Sequence, residues 1–193
     1  MLALALIPRA VALNLALGAV VAALKLPVFL DSVGTVLVAA LAGPWAGMIT
    51  GAAGNVVLGL LSSPTFFAFI PVTLVIGALA GVASRLGAFR SLGWAIPAGM
   101  LVGVAAGSTS VPIVIGLFGG ATASGTGLVT ITLRALHLPL ALAAGVASIS
   151  TDIVDKGLSF ALVALLITRL PARITGRFAR AASAPPSSSE SRS

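Results

Sequence analysis

The chain has 193 residues, of which 59% are hydrophobic before glycine is counted and only 8% are charged, with a net charge of +7. Soluble domains carry about 25% charged residues, so an ordinary soluble globular protein is excluded for want of polar surface, and so much apolar mass excludes disorder as the main state. There is no cysteine and one histidine, His137, which rules out disulfides, thiolate metal sites and histidine-rich metal sites.

The lipid bilayer is the solvent that fits. One span needs about 20 apolar residues, which leaves room for about six. Span one covers 10–24 and ends at Lys25-Leu26-Pro27. A cleaved signal peptide over Met1–Leu24 is the rival reading of this segment. A short segment, 28–32, leads into span two at 33–42. Gly43-Pro44 breaks the helix, and span three follows at 45–61. Both are short and interrupted by Gly or Pro, so at least one need not cross alone. After the turn Ser62-Ser63-Pro64 comes span four, 66–83, then a link over 84–93 with Arg85 and Arg90. Span five, 94–118, contains Pro112, a kink site. A polar Gly/Thr-rich stretch occupies 119–138, and Pro139 and Pro171 bracket span six. Trp45 and Trp94 read as interface anchors.

Basic residues set the orientation. With the N-terminus inside, Arg9, Arg85, Arg90, Arg169, Arg173, Arg177, Arg180 and Arg192 all fall on the cytoplasmic side. Lys25 and Arg134 lie outside, and Lys156 lies within span six. This bias predicts an all-α, multi-pass bundle of six transmembrane helices in the cell membrane with both termini cytoplasmic. The charge therefore speaks for membrane orientation and against nucleic acid. Residues 1–171 form the membrane domain and 172–180 a basic juxtamembrane segment. The tail, 181–193, is low-complexity and expected to be disordered. Arg173, Arg177 and Arg180 share a helical face that would rest on anionic headgroups or simply anchor the topology.

Small residues recur every four positions: Gly43, Gly47 and Gly51; Gly77 and Gly81; Gly99, Gly103 and Gly107. In lipid, such ladders let helix backbones approach closely. In span one Ala12, Ala16, Ala19 and Ala23 form a smooth stripe that would pack either on a sister helix or on a separate membrane partner.

Charged side chains inside membrane segments are costly and face a bundle interior or a wet cavity. Only four acids exist, and Glu190 is in the tail. In span six Ser148, Asp152, Asp155, Lys156 and Ser159 share one helical face. Asp152 and Lys156 have the i, i+4 spacing of an ion pair, which is either a structural pair or one wall of a ligand cavity. Asp155 favours the cavity, because one lysine does not neutralise two carboxylates. In Asp31-Ser32-Val33-Gly34-Thr35, Asp31 either caps span two or hangs with its loop over the outer mouth of that cavity. Asn55, inside span three, either bridges helices or contacts ligand. Asp31, Asp152 and Asp155 against Lys156 leave a net charge of −2 when all are ionised, which favours a ligand with a positive or amine group. His137 is read as a loop residue near the outer surface.

Enzyme motifs fail. Gly120 and Gly125 have the spacing of a phosphate loop, but Thr126 stands where the lysine is needed, although this Gly/Thr backbone could still line a binding site. There is no HExxH and no GxSxG. No catalytic residue, metal or cofactor is expected, and the chain should not hydrolyse ATP.

Leu26–Thr35 (LPVFLDSVGT) resembles the LPxxLDxxGT signature of substrate-binding S components of energy-coupling factor (ECF) transporters. Gly43-Pro44-Trp45-Ala46-Gly47 resembles the GPxxG turn of the same group, Asn55 stands where it often has an Asn, and Asp152–Lys156 resembles its DxxDK element. The likeness runs in order over most of 10–171. It implies a six-helix membrane protein that captures a vitamin, a vitamin precursor or a similar micronutrient at the outer side and topples to carry it inward. It further implies a membrane coupling protein and two cytoplasmic ATPases as partners, with Ala12 and Ala16, extended by Ala19 and Ala23, meeting the coupling protein. The solute would lie among Asp31, Gly34, Thr35, Asn55, Asp152, Asp155 and Lys156. The competing readings are a ligand-sensing module and a structural or lipid-binding scaffold.

Overall fold

A computed structural model of the chain describes residues 2–24, 26, 28–120, 122 and 125–169. The segments expected to form the basic stripe and the tail, 172–193, lie outside the described residues, as does Lys25. The described residues form eight α-helices and no strand. These are α1 (Leu2–Ala23), α2 (Val33–Ala42), α3 (Pro44–Leu61), the single turn α4 (Thr65–Ala68), α5 (Ile70–Arg85), α6 (Leu92–Phe118), α7 (Gly125–Ala135) and α8 (Leu140–Arg169), with a 3₁₀ turn at Ala88–Arg90.

Three helical segments, Ala5–Ala23, Pro44–Leu61 and Leu92–Phe118, are long and apolar enough to cross a membrane. Helix α5 is apolar but has 16 residues, and α2 has only 10, about 15 Å of helix against a hydrocarbon core of about 30 Å. Helix α8 has length enough at 30 residues, but its middle carries Asp152, Asp155 and Lys156. The stretch 119–138, read from the sequence as polar and Gly/Thr-rich and assigned to no span, contains α7. Its Thr130 and Thr132 hydroxyls bond the carbonyls one turn back, at 3.0 Å each, so a threonine-rich sequence can stay helical against apolar surroundings.

Polarity is arranged inside-out relative to a water-soluble protein. Leu60, Leu61, Leu86 and Leu101 are exposed, while Asn14, Thr35, Thr50, Asn55, Asp155, Lys156 and Ser159 are buried. Such a surface suits lipid contact. Trp45 and Trp94, at the starts of α3 and α6, are 75% and 71% exposed.

The helices fall into two groups. Helices α1, α2, α3 and α5 pack together, and α6, α7 and α8 form the second group; α5 meets α6 and α2 meets α8 across the seam. Glycine makes the tight contacts. Gly47 and Gly77 bring α3 and α5 together backbone to backbone, and Gly81 abuts Pro44. On α6, Gly99, Gly103 and Gly107 lie in turn against Lys156 and Phe160, Asp152 and Ile153, and Ile149 of α8. A Cβ on Gly103 would sit 2.6 Å from the Ile153 Cα, closer than atoms can come. The stacked rings of Phe89 and Phe160, 5.0 Å apart, close the core at the seam.

Candidate functional site

The polar groups gather where the two helix groups meet. The segment 28–32 crosses from α1 to α2 in a non-helical path, with Leu30 held at φ 49°. This left-handed conformation is unfavourable for a branched side chain, and a carboxylate holds it in place. One oxygen of Asp155 accepts the N–H groups of Phe29 at 2.8 Å and Leu30 at 2.7 Å. Two successive backbone donors around one anion make a small nest. The other Asp155 oxygen pairs with the Lys156 ammonium, which also donates to the Ser32 hydroxyl at 2.9 Å. Both side chains are fully enclosed, at 0% and 3% exposure. Loop 28–32 is thus fastened to the middle of α8 by three hydrogen bonds, whose α8 partners, Asp155 and Lys156, are themselves held together as a buried ion pair within the helix.

The structure carries neither of two structural alternatives that the sequence left open. Lys156 pairs with Asp155 and not with Asp152, four residues before it. The loop N–H groups fix Asp155 beside the ammonium, and Ser32 draws the flexible lysine towards the loop. Asp31 does not cap α2 either. Ser32 holds the N-cap position, and its side chain makes no capping bond because its hydroxyl faces Lys156.

Asp31 is half-buried, and its Cβ lies where Gly18 of α1 leaves room; a Cβ on Gly18 would come within 3.3 Å of it. Asp152 is buried one turn before Lys156. Asp31, Asp152 and Asp155 lie close enough to repel one another, and Lys156 attracts all three. Neither Asp31 nor Asp152 takes a hydrogen bond or an ion pair from another residue among those described. The Ser148 hydroxyl, one turn before Asp152 on the same face, is buried without a partner, as is that of Ser159.

The remaining candidates, Gly34, Thr35 and Asn55, are bonded to other groups. Asn14 of α1 accepts the Gly34 N–H at 2.7 Å and donates to the Thr35 hydroxyl at 2.9 Å. Gly34 is required there, since a Cβ would run into the Ala10 carbonyl. Asn55 donates to the Phe66 carbonyl at 3.2 Å, so its amide ties α3 to the turn α4. Sequence reasoning passed over Asn14, although a lone amide in an apolar span is itself a signal. His137 is an exposed turn residue. The polar stretch that could have lined a site instead places Thr126 and Thr130 of α7 in the interior.

Two surface features lie apart from this cluster. Ala12, Ala16, Ala19 and Ala23 are all exposed along one side of α1. A groove of about 400 Å³ runs along α8 past Leu142, Gly145, Val146 and Ile149 and shares no residue with the cluster. In comparisons with protein-family models, curated proteins and solved structures, nothing matches this chain.

Proposed function

We propose that this chain is the substrate-binding membrane subunit of an ECF-type micronutrient importer, a six-helix bundle of the cell membrane with both termini in the cytoplasm. It captures a vitamin, a vitamin precursor or a similar small solute at the outer side, and a coupling protein with two cytoplasmic ATPases drives uptake. The observation that carries the reading is the charged cluster of Asp31, in loop 28–32, with Asp152, Asp155 and Lys156 of α8, in a bundle with an apolar exterior. Ionisable groups at such depth are costly and mark ligand or ion sites in membrane bundles. The sequence resemblance supplies the family.

In this reading Asp31 and Asp152 face the solute. Asp155 and Lys156 hold the loop over it, and Gly34, Thr35 and Asn55 belong to the wall. The alanine face of α1 is the docking surface for the coupling protein, and its exposure supports that role. Affinity purification from the native membrane tests the assembly. The tagged chain should bring down a multi-span protein and two proteins with nucleotide-binding motifs, and Ala12→Leu with Ala16→Leu should release them. A chain that purifies alone under mild detergent, with partners absent before any substitution, would overturn the proposal.

A further inference from the structure

Resting on the reading that this cluster holds a solute, we infer that the solute is an organic cation whose amine or amidinium nitrogen sits between Asp31 and Asp152 and reaches the Ser148 hydroxyl. The argument begins from which charges are already matched. Asp155 has a complete set of partners in Lys156, Phe29 and Leu30, and Lys156 has Asp155 and Ser32. This pair is neutral. Asp31 and Asp152 remain, two carboxylates that repel one another and share only the more distant attraction of Lys156; neither takes a hydrogen bond or an ion pair from another residue among those described. Asp152 is only 8% exposed, where a carboxylate without a counter-charge is unfavourable.

A second observation points to a ligand independently of the acids. The Ser148 hydroxyl is 3% exposed and also lacks a partner. It lies one turn before Asp152 on the same helical face, and a buried hydroxyl without a hydrogen bond is uncommon in folded proteins. A nitrogen cation with several N–H groups satisfies all three side chains at once: charge-assisted bonds to the two carboxylates and one bond to the hydroxyl. An anionic solute would add to the surplus negative charge. A compact metal ion fits poorly, because the acids do not converge into a metal-binding group among the described residues, whereas an extended organic cation can span them.

The test is mass spectrometry of small molecules released by denaturing the chain, purified from cells grown in rich medium, with Asp31→Asn and Asp152→Asn purified alongside. These variants keep the side-chain shape and remove one charge each. The wild type should release a compound bearing a basic nitrogen, and each variant should retain about ten- to hundredfold less, the loss of one charge-assisted bond. Gel filtration identifies a variant that does not fold, and the charge of the wild-type compound then decides alone. A neutral or anionic compound would overturn the cation assignment and leave solute capture standing. A basic compound retained equally by both folded variants would overturn the placement between the two acids. Release of nothing from the wild type would overturn solute capture itself and this inference with it.

Discussion

Replacing Asp155 tests how loop 28–32 is held. Asp155→Asn keeps an oxygen able to accept the Phe29 and Leu30 N–H groups but removes the charge that pairs with Lys156. Stranding one member of a buried pair costs about 3–5 kcal/mol. Lys156 retains its Ser32 bond and the attraction of Asp31 and Asp152, which places the loss near the lower end, about 3 kcal/mol. Asp155→Ala also leaves two loop N–H groups without their acceptor, at about 1–3 kcal/mol each. The loop is half-buried and water reaches part of it, so the total is about 5 kcal/mol. The discriminating variant is Asp155→Asn combined with Lys156→Met, which keeps the loop acceptor and removes both charges of the pair, at the cost of the Lys156 attraction on Asp31 and Asp152. Replacing both members of a buried pair is close to neutral in other proteins. Thermal unfolding in detergent, followed by circular dichroism, should drop by about 6–12 °C for Asp155→Asn, at about 2–4 °C per kcal/mol for a chain of this size. The double variant should recover at least half of that. If it melts no higher than Asp155→Asn, the Asp155–Lys156 charge pair is not what fastens the loop, and the reasoning fails.

Other outcomes follow from the packing. Gly103→Leu should destabilise by about 1–3 kcal/mol or separate α6 from α8, whereas Gly116→Leu, where a Cβ meets nothing within 4 Å, should melt within about 0.5 kcal/mol of the wild type; the same thermal assay checks both. Asn14→Leu strands the buried Gly34 N–H and removes the bond to Thr35, and should cost about 1–3 kcal/mol; amide exchange of Gly34 should accelerate in step. Ala12→Leu with Ala16→Leu should leave the melting midpoint of the isolated chain unchanged, because both positions are exposed, so that loss of the partner proteins in the pull-down reports the interface itself.

Much of the helical order was legible because its signals are local. Gly43-Pro44 ends α2 and begins α3, with Gly43 at φ 92°, and Ser62-Ser63-Pro64 separates α3 from the turn that precedes α5. The glycine ladders were visible as spacing, yet spacing alone did not name the partners. That Gly103 faces Ile153 while Gly77 faces Gly47 depends on how α6 and α5 are turned in the fold. Helix α7 was missed because its threonines and glycines read as loop chemistry. Their hydroxyls bond within the helix, so they present less polarity than their names suggest. Asn14 was missed for the converse reason: one amide among fourteen apolar neighbours barely changes a hydropathy average, but it joins α1 to α2 through two bonds.

The charged face of α8 shows where local rules stop. Helical periodicity placed Ser148, Asp152, Asp155 and Lys156 on one side, and four-residue spacing favoured Asp152 as the partner of Lys156. That rule describes an isolated helix in water, where no other donor competes. Here the donors that decide come from more than 120 residues away in sequence: the N–H groups of Phe29 and Leu30 orient Asp155, and Ser32 orients Lys156. The consequence reaches the site. Had Lys156 paired with Asp152, the acids left over would be Asp31 and Asp155, and since the loop N–H groups already satisfy Asp155, Asp31 alone would be left to demand a ligand. With Asp155 taken by the latch, the acids left over are Asp31 and Asp152, one from each helix group. The long-range bonds to the loop therefore set which acids are left without a bonded partner, and for this reason the variants at Asp31 and Asp152 test the proposed ligand capture while those at Asp155 and Lys156 test the loop.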